Sequence, residues 1–374
     1  MEMLMQDATA EALDGEEDDE GDFEGMEDLS DGSDLLEGEM PELDSDGRTA
    51  TCAGICYEAR AWGDAFELGG GVREKLIDDC KVVFPLDGSH WLGCKAEPRC
   101  SLERMAHEVF KFHTQGIAEG DFNPDKSGAE WWVQVRTSGN EEEGIEFHWD
   151  MDEFLIESTG FNVHPHLSSV TYLSGCGGPT LICDTRTPVL YDDVSEESYG
   201  HVGAATLSAP EVGKHLVFDG RFLHGAVPME GLVAGSRENP RVTFMVNIWL
   251  NYVPMGMEPF PEELLRRMQK NVVVTRLNAK APQEPVALRV DESTADAYRL
   301  RAPFGREEKA HCLQLAVPRS CLSATAPAPK TWRLSLASEA EGKLGKHVAK
   351  KDRKSMLAGL KAISKGKKKA KTAP

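Results

Sequence analysis

EFHWDMDE, residues 146–153, alternates between polar and apolar side chains from Glu146 to Asp152. Successive side chains of a β-strand point to opposite faces of a sheet, so this alternation predicts a half-buried strand. The predicted polar face consists of residues that can bind a cation: His148, Asp150 and Asp152. The predicted apolar face consists of large residues that can pack in a core: Phe147, Trp149 and Met151.

The polar face suggests a metal site. In a strand, the Cα atoms of His148 and Asp150 lie about 6 to 7 Å apart, which lets both side chains converge on one ion. A buried carboxylate without a partner is costly, and a divalent metal satisfies it. The alternative is a strand at an exposed edge whose charged face meets solvent. The alternation alone does not decide between the two.

A third candidate ligand is His224, in the segment GKHLVFDGRFLHGAVP, where a β-run and a turn precede it. On a neighbouring strand it would complete a set of two histidines and one carboxylate. Three ligands on one side of an ion leave positions open, which is the arrangement of non-haem Fe(II) oxygenases. Taken alone, His224 would be a turn histidine.

Arg241 starts the segment RVTFMVNIWLN and, by the two-residue period of a strand, shares a face with Thr243. An arginine at a strand start beside a hydroxyl is well shaped to clamp a carboxylate through paired hydrogen bonds. The alternative is a solvent-facing arginine at a strand edge.

The chain between these segments is rich in short strand patterns separated by Gly, Pro, Asn and Asp: WWVQVR, GIEFHWDM, HLSSVTYLS, PTLICD, KHLVFD and RVTFMVNIWLN. Many short strands with little helix between them predict a mainly β protein with flanking helices, a sandwich or jelly roll. Ser101 is the predicted N-cap of the amphipathic helix SLERMAHEVFKFHT. The next predicted helix begins only at Pro261. Later runs such as PVALRV and TWRLSLAS either extend the same sheets or form a small β addition.

These patterns divide the chain into five predicted segments: an acidic disordered tail (1–50), a helical and mixed support region (51–130), the β core (131–270), a β-rich extension (271–340) and a basic tail (341–374). The distribution of charge supports the assignment of the two tails, because residues 1–46 hold twenty Asp or Glu and residues 343–372 hold twelve Lys or Arg. A segment so charged and so poor in apolar residues does not form a core. The tails could bind basic or acidic partners, and the basic one suits nuclear import.

Several protein classes are disfavoured by composition. The first residues lack the basic start and apolar run of a signal peptide, and no apolar segment reaches the roughly 20 residues of a membrane span. Nine cysteines with no paired CxxC units indicate neither a disulfide framework nor a structural zinc site. We therefore expect an intracellular protein of the nucleus or cytoplasm that does not bind membranes.

The motifs occur in a fixed order: HWD at 148–150, TYLSGCGGPTLICD at 171–184, HGAVP from 224 and RVT from 241. This order resembles the iron(II)- and 2-oxoglutarate-dependent dioxygenases, and most closely their prolyl 4-hydroxylase-like branch. That branch carries HxD, a Gly-Gly turn, a distal histidine and a basic residue on a double-stranded β-helix. The resemblance covers roughly residues 100 to 252.

The resemblance implies roles for individual residues. His148, Asp150 and His224 would bind Fe(II) and form the catalytic centre, while Arg241, helped by Thr243, would hold the distal carboxylate of 2-oxoglutarate. Further candidates for contact with the co-substrate are Tyr172 and Gln134. Asp150 also argues against the halogenating branch, in which a small residue replaces that carboxylate.

One departure concerns the basic residue. Seventeen positions separate His224 from Arg241, more than is usual, and the extra residues MEGLVAGSRENP suggest a loop insertion. Arg237 lies in that insertion and is the rival for the co-substrate role. We favour Arg241, because a strand places a side chain more firmly than a loop flanked by Gly and Ser.

The resemblance implies a dioxygenase that hydroxylates an unidentified substrate, either a protein side chain or a small molecule, and releases succinate and CO₂. Its cofactors would be Fe(II), 2-oxoglutarate and O₂, with ascorbate as an additional candidate. A second hypothesis is a non-catalytic jelly-roll scaffold whose charged tails recruit partners. A third, demethylation of nucleic acid, draws only on the basic tail.

Overall fold

The computed structural model describes the residues 43, 49, 57–86, 88–117, 120–136, 145–186, 202–226, 240–268, 276–277, 281–290, 296–304, 311–322 and 330–336. Except for residues 43 and 49, the predicted acidic tail lies outside these residues, as does the whole basic tail.

The described residues form fourteen strands and five α-helices. The strands are β1 (Ala59–Trp62), β2 (His90–Gly93), β3 (Gly128–Arg136), β4 (Ile145–His148), β5 (Leu167–Tyr172), β6 (Thr180–Arg186), β7 (Ala204–Ser208), β8 (His215–Asp219), β9 (Phe222–Ala226), β10 (Arg241–Trp249), β11 (Val286–Val290), β12 (Ala297–Phe304), β13 (His311–Pro318) and β14 (Thr331–Leu336). The helices are α1 (Val72–Val83), α2 (Ser101–Thr114), α3 (Glu153–Thr159), α4 (Glu262–Leu265) and α5 (Arg319–Leu322).

The strands make two sheets. One has six strands in the order β1-β8-β5-β10-β3-β2, and the other has eight in the order β11-β14-β7-β6-β9-β4-β12-β13. From β3 to β10 the chain passes back and forth between the sheets, with only β6 and β7 consecutive in one of them. This path is consistent with the predicted jelly roll.

A small apolar core lies on the inner faces of both sheets. The six-stranded sheet contributes Val170 and Phe218, and the eight-stranded sheet contributes Ile182 and Phe222. Each fully buried side chain of this size stabilises the fold by about 1.5 to 3 kcal/mol relative to an exposed one. Because these contacts join the two sheets, they hold opposite walls of the jelly roll in a fixed position.

Helices α1 and α2 cover the outer face of the six-stranded sheet. Leu102, Met105 and Val109 of α2 are fully buried and belong to one cluster with Trp131 of β3. The predicted range of α2 is confirmed, but the predicted cap is wrong by one position. Cys100 is the N-cap residue, and no side chain caps the helix. None of the described helices is both long and apolar enough to cross a membrane.

The strands after β10 extend the eight-stranded sheet, which decides between the two alternatives left open by the sequence. Strand β14 pairs with β7, and β12 meets β4 where Phe304 lies opposite Phe147. Trp332 and Leu334 of β14 pack in a second cluster with Phe147 and Trp149. Phe147 and Trp149 are therefore buried, as predicted, and Met151 is partly buried against the same cluster.

Two local predictions are wrong. The alternating stretch is a strand only as far as His148, because Asp152 caps helix α3, its side chain accepting a hydrogen bond from the backbone N–H of Leu155. A residue that can cap a helix favours that role over continuing a strand. The strand patterns of the sequence also missed β7, whose small residues AATLS give little strand signal.

Candidate metal centre and adjoining pocket

The two candidate histidines face each other across neighbouring strands. His148 ends β4 and lies opposite His224 of β9, with 4.5 Å between their ring centroids. Gly225 permits this approach, because a Cβ atom there would lie 2.8 Å from the backbone oxygen of Ile145. The glycine that follows the distal histidine is thus required by the packing of β9 against β4.

Asp150 lies between the two rings. Its Oδ1 is 3.6 Å from Nε2 of His148, and its Oδ2 is 3.5 Å from Nε2 of His224. One ligand atom from each of the three residues lies within 4.8 Å of the others, and they form the one such His/Cys/Asp/Glu group of the described chain. The structure therefore brings together the three metal ligands proposed from the sequence.

Backbone hydrogen bonds orient both imidazoles. Nδ1 of His148 lies 2.7 Å from the carbonyl oxygen of Glu146, and Nδ1 of His224 lies 3.0 Å from that of Phe222. A carbonyl oxygen only accepts, so each Nδ1 carries the proton and donates. The Nε2 atoms are left facing Asp150, so both imidazoles are oriented to ligate a metal.

Two further contacts hold Asp150. The hydroxyl of Ser168 donates to Oδ2 at 2.7 Å, and Nδ1 of His164 lies 2.6 Å from the backbone oxygen of Asp150. His164 is buried, and it fixes the backbone that carries the carboxylate. Ser168 was not singled out from the sequence, because its proximity to Asp150 arises only from the packing of β5 beneath the 149–152 segment.

The electrostatics favour an anionic Asp150 and a neutral His224 near neutral pH, with a proton held on His148 by the carboxylate. Burial lowers the pKa of His224 to about 4, so its imidazole is neutral. Burial alone would raise the pKa of Asp150, but His224, His148 and the Ser168 hydroxyl together hold it well below its usual value. Burial likewise opposes charge on His148, yet the hydrogen bond and charge of Asp150 raise its pKa. A divalent cation would replace the proton shared by these groups.

The remaining carboxylates of the stretch 146–153 lie apart from this group. Besides the N–H of Leu155, Asp152 accepts hydrogen bonds from the hydroxyl of Tyr252 at 2.5 Å and from the N–H of Met255 at 2.7 Å. Glu153 is exposed on the first turn of α3. Asp152 thus joins α3 to the segment after β10.

Arg241 is buried at the start of β10, with 3% of its surface exposed. Its Nε donates to the backbone oxygen of Gly178 at 3.0 Å, and its two terminal nitrogens donate to Thr243 and Thr180 at 3.3 and 3.4 Å. Gly177 has a φ of +88° and packs so closely that a Cβ there would lie 2.6 Å from Cδ of Arg241. The Gly-Gly turn recognised in the sequence therefore makes room for this side chain and holds it.

Arg241 has the properties of an anion-binding residue. A guanidinium carries five N–H groups, so the three contacts leave one N–H on each terminal nitrogen, and a carboxylate can accept two such groups. No carboxylate among the described residues forms an ion pair with Arg241, and burial lowers its pKa. A buried cation without a counter-charge is costly, and an anionic ligand would satisfy it.

The other predicted co-substrate residues lie near Arg241. Thr243 of β10 pairs with Gln134 of β3 on one side and with Tyr172 of β5 on the other. The Tyr172 hydroxyl is bonded to Thr180 at 2.7 Å, and its ring lies 5.8 Å from the guanidinium carbon of Arg241. The rival, Arg237, lies outside the described residues.

A pocket of about 320 Å³ opens beside the triad and is lined by His148 and Asp150. Its wall includes alternate residues of β3: Glu130, Trp132 and Gln134. Trp131 is fully buried on the opposite face. Trp132 is only partly buried and lines the pocket. The sequence did not single out Glu130.

No protein-family model and no curated protein matches this chain. Among solved structures, the chain is similar to a prolyl-4-hydroxylase from Pseudomonas putida, at 18% identity over 44% of this chain and 72% of that one, with a TM-score of 0.25. It is also similar to EctD from S. alaskensis with 2-oxoglutarate and 5-hydroxyectoine, at 16% identity over 63% and 92%, with a TM-score of 0.33. A third is an oxidoreductase of the 2OG-Fe(II) oxygenase family from Burkholderia pseudomallei, at 14% identity over 41% and 56%, with a TM-score of 0.24. At these identities and TM-scores, the likenesses assign no activity to this chain.

Proposed function

We propose that this protein is an Fe(II)- and 2-oxoglutarate-dependent dioxygenase that hydroxylates its substrate. The observation that carries the proposal is the convergence of two imidazoles and one carboxylate within 4.8 Å, with His148 and Asp150 in the wall of a pocket. Two histidines and one carboxylate on one side of an ion are typical of non-haem Fe(II) sites that keep positions open for substrates and oxygen.

The donor set fits Fe(II). Both imidazoles offer Nε2, because their Nδ1 atoms donate to backbone carbonyls, and Asp150 is anionic and supported by Ser168. With the metal bound, the site would supply the activation of O₂ that couples conversion of 2-oxoglutarate to succinate and CO₂ with insertion of one oxygen atom into a substrate C–H bond. Each of the three ligands is oriented by a hydrogen bond to a neighbouring residue, so the site is preorganised for metal binding.

Arg241 is the proposed clamp for the distal carboxylate of 2-oxoglutarate. Its two remaining N–H groups match a carboxylate, and Thr243 and Gln134 lie on the same wall of the jelly roll. Tyr172 and Thr180 position the guanidinium rather than reach the co-substrate, because their side chains contact each other. The prolyl 4-hydroxylase-like branch remains our assignment on the order of the motifs alone.

The test is conversion of 2-oxoglutarate to succinate by the purified protein supplied with Fe(II) in air. Because the substrate is unidentified, the assay follows turnover of the co-substrate itself. We expect succinate from the wild type and from D125N, an exposed control, and at least a hundredfold less from D150A and H224A. Succinate formation no faster in the wild type than in D150A would instead support the non-catalytic scaffold.

A further inference from the structure

Glu130 is a carboxylate that faces the pocket without a cationic partner among the described residues. It accepts hydrogen bonds from the hydroxyl of Ser89 at 2.7 Å, the amide of Asn247 at 3.1 Å and the indole of Trp249 at 2.8 Å. All three donors are neutral. They fix the position of the carboxylate, but they leave its negative charge without a positive one beside it.

Asn247 adds a second acceptor at the same place. It lies opposite Glu130 in the pairing of β10 with β3, lines the same pocket and is 2% exposed. Its amide nitrogen donates to Glu130, which fixes the orientation of the amide group and turns Oδ1 away from that carboxylate. No described residue donates to Oδ1 of Asn247. A buried acceptor without a donor is costly, so it calls for a ligand that carries N–H or O–H groups.

The rest of the pocket favours the same kind of ligand. Gln134 lines it as well, and no described group donates to its Oε1. The charged side chains in the wall are carboxylates and His148, and no described lysine or arginine lines it. Trp132 and Trp149 supply aromatic surface, which binds cations favourably. Acceptors, negative charge and indole rings together match a cation with several N–H donors.

The pairing of β10 with β3 places Glu130 and Asn247 away from the residues proposed to bind 2-oxoglutarate. Arg241 lies opposite Arg136 at one end, and Asn247 lies opposite Glu130 six residues further along. Two arginines attract a dianionic co-substrate, whereas Glu130 repels it. The paired strands β10 and β3 therefore have a positive end, at Arg241 and Arg136, and a negative end, at Glu130. The pocket is lined by Glu130 at the negative end and by the metal ligands His148 and Asp150.

We propose that Glu130 and Asn247 bind an ammonium or guanidinium group of the substrate, so that the substrate is a basic side chain of a polypeptide or a free amine. This inference rests on the proposed function for its reaction, but the binding of the cation does not require turnover. Phe154, which lines the pocket and is 59% exposed, provides an apolar contact for the remainder of the substrate.

The experiment measures binding of three probes by ligand-observed NMR, to metal-free protein and to protein loaded with Fe(II) without oxygen. The probes are N-acetyl-lysine methylamide, its uncharged analogue N-acetyl-norleucine methylamide, and n-pentylamine. We expect both cationic probes to bind at least tenfold more tightly than the norleucine compound. Tighter binding of the capped lysine than of pentylamine would identify a polypeptide side chain, and the reverse would identify a free amine.

Two variants locate the site. E130Q should weaken binding of the cationic probes at least tenfold and leave that of the norleucine compound unchanged. E157Q removes the same charge from an exposed position of α3 outside the pocket and should change neither. The comparison of charged and uncharged probes on the wild type needs no variant, so it decides the question even if E130Q does not fold.

Equal binding of the lysine and norleucine compounds, or an undiminished preference for the cation in folded E130Q, would overturn the inference. These results are independent of catalysis. Cation binding without succinate formation would refute the proposed dioxygenase and leave the cation site standing. Succinate formation without a preference for the cation would support the proposed dioxygenase and refute the cation site.

Discussion

Replacing Arg241 by lysine tests the proposed clamp while keeping the positive charge. Three of the five N–H groups of the arginine contact Gly178, Thr243 and Thr180, and the remaining two are the proposed donors to a carboxylate. A lysine ammonium offers a single donor point in place of these two, so at least one charge-assisted hydrogen bond to the co-substrate is lost.

A hydrogen bond to a charged group contributes about 1.5 to 3 kcal/mol, which corresponds to a factor of roughly 10 to 150 in affinity. We therefore expect R241K to raise the KM for 2-oxoglutarate by that factor. The kcat should change less, because the lost bond holds the co-substrate equally before and during reaction. Succinate formation measured across a range of 2-oxoglutarate concentrations separates the two parameters.

The matched control is R289K, which makes the same change at an exposed position of β11 and should leave both parameters unchanged. If folded R241K shows the wild-type requirement for 2-oxoglutarate, the clamp is elsewhere. A sharp rise in KM for R237A in the same assay would then identify Arg237 as the residue that binds the co-substrate.

Three further predictions concern the surroundings of the site. D152A should lower the free energy of unfolding by about 2 to 4 kcal/mol, because it removes a helix cap and two further hydrogen bonds to the carboxylate. Metal binding should persist in this variant. Loss of metal binding in the folded variant would make Asp152 a ligand. S168A removes the hydrogen bond to Asp150 and should weaken binding of Co(II) about tenfold, as measured by the visible spectrum of the bound ion. S158A, on the exposed side of α3, should not weaken it. Equal affinities of the two variants for Co(II) would show that the Ser168 hydrogen bond does not support the ligand. Burial lowers the pKa of His90 to about 4, so between about pH 6.5 and pH 4 the unfolded chain binds a proton that the folded one does not, and stability falls as the pH falls. H90F should reduce this loss by about 1 to 2 kcal/mol at pH 5 in urea denaturation, and an unchanged pH dependence would contradict the assignment.

Much of the site could be predicted because strand periodicity places side chains on known faces. His148 ends a strand with its ring on the polar side, Phe147 and Trp149 are buried on the apolar side, and Arg241 starts a strand beside Thr243. These features are local in the sequence. The order of the motifs, compared with that of the dioxygenases, then indicated which distant segments lie close together. The convergence of His224 on Asp150 follows from that order together with the pairing of β9 and β4.

The parts that were missed depend on contacts between segments far apart in sequence. Ser168 and His164 support Asp150 only because the turn after β4 folds back onto the start of β5. Glu130 gains its role from Asn247, which lies 117 residues away and meets it through strand pairing. Strand β7 was missed for a local reason, because AATLS has too little apolar or β-branched character to stand out.

The iron site is tested most directly by the absorption spectrum of the protein with Fe(II) and 2-oxoglutarate in the absence of oxygen. We expect a visible charge-transfer band that requires both additions, disappears in H148A and D150A, and persists in D152A. Its dependence on 2-oxoglutarate should weaken in R241K. The absence of a band in folded wild-type protein, or an undiminished band in D150A, would contradict the assignment of these residues as an iron site.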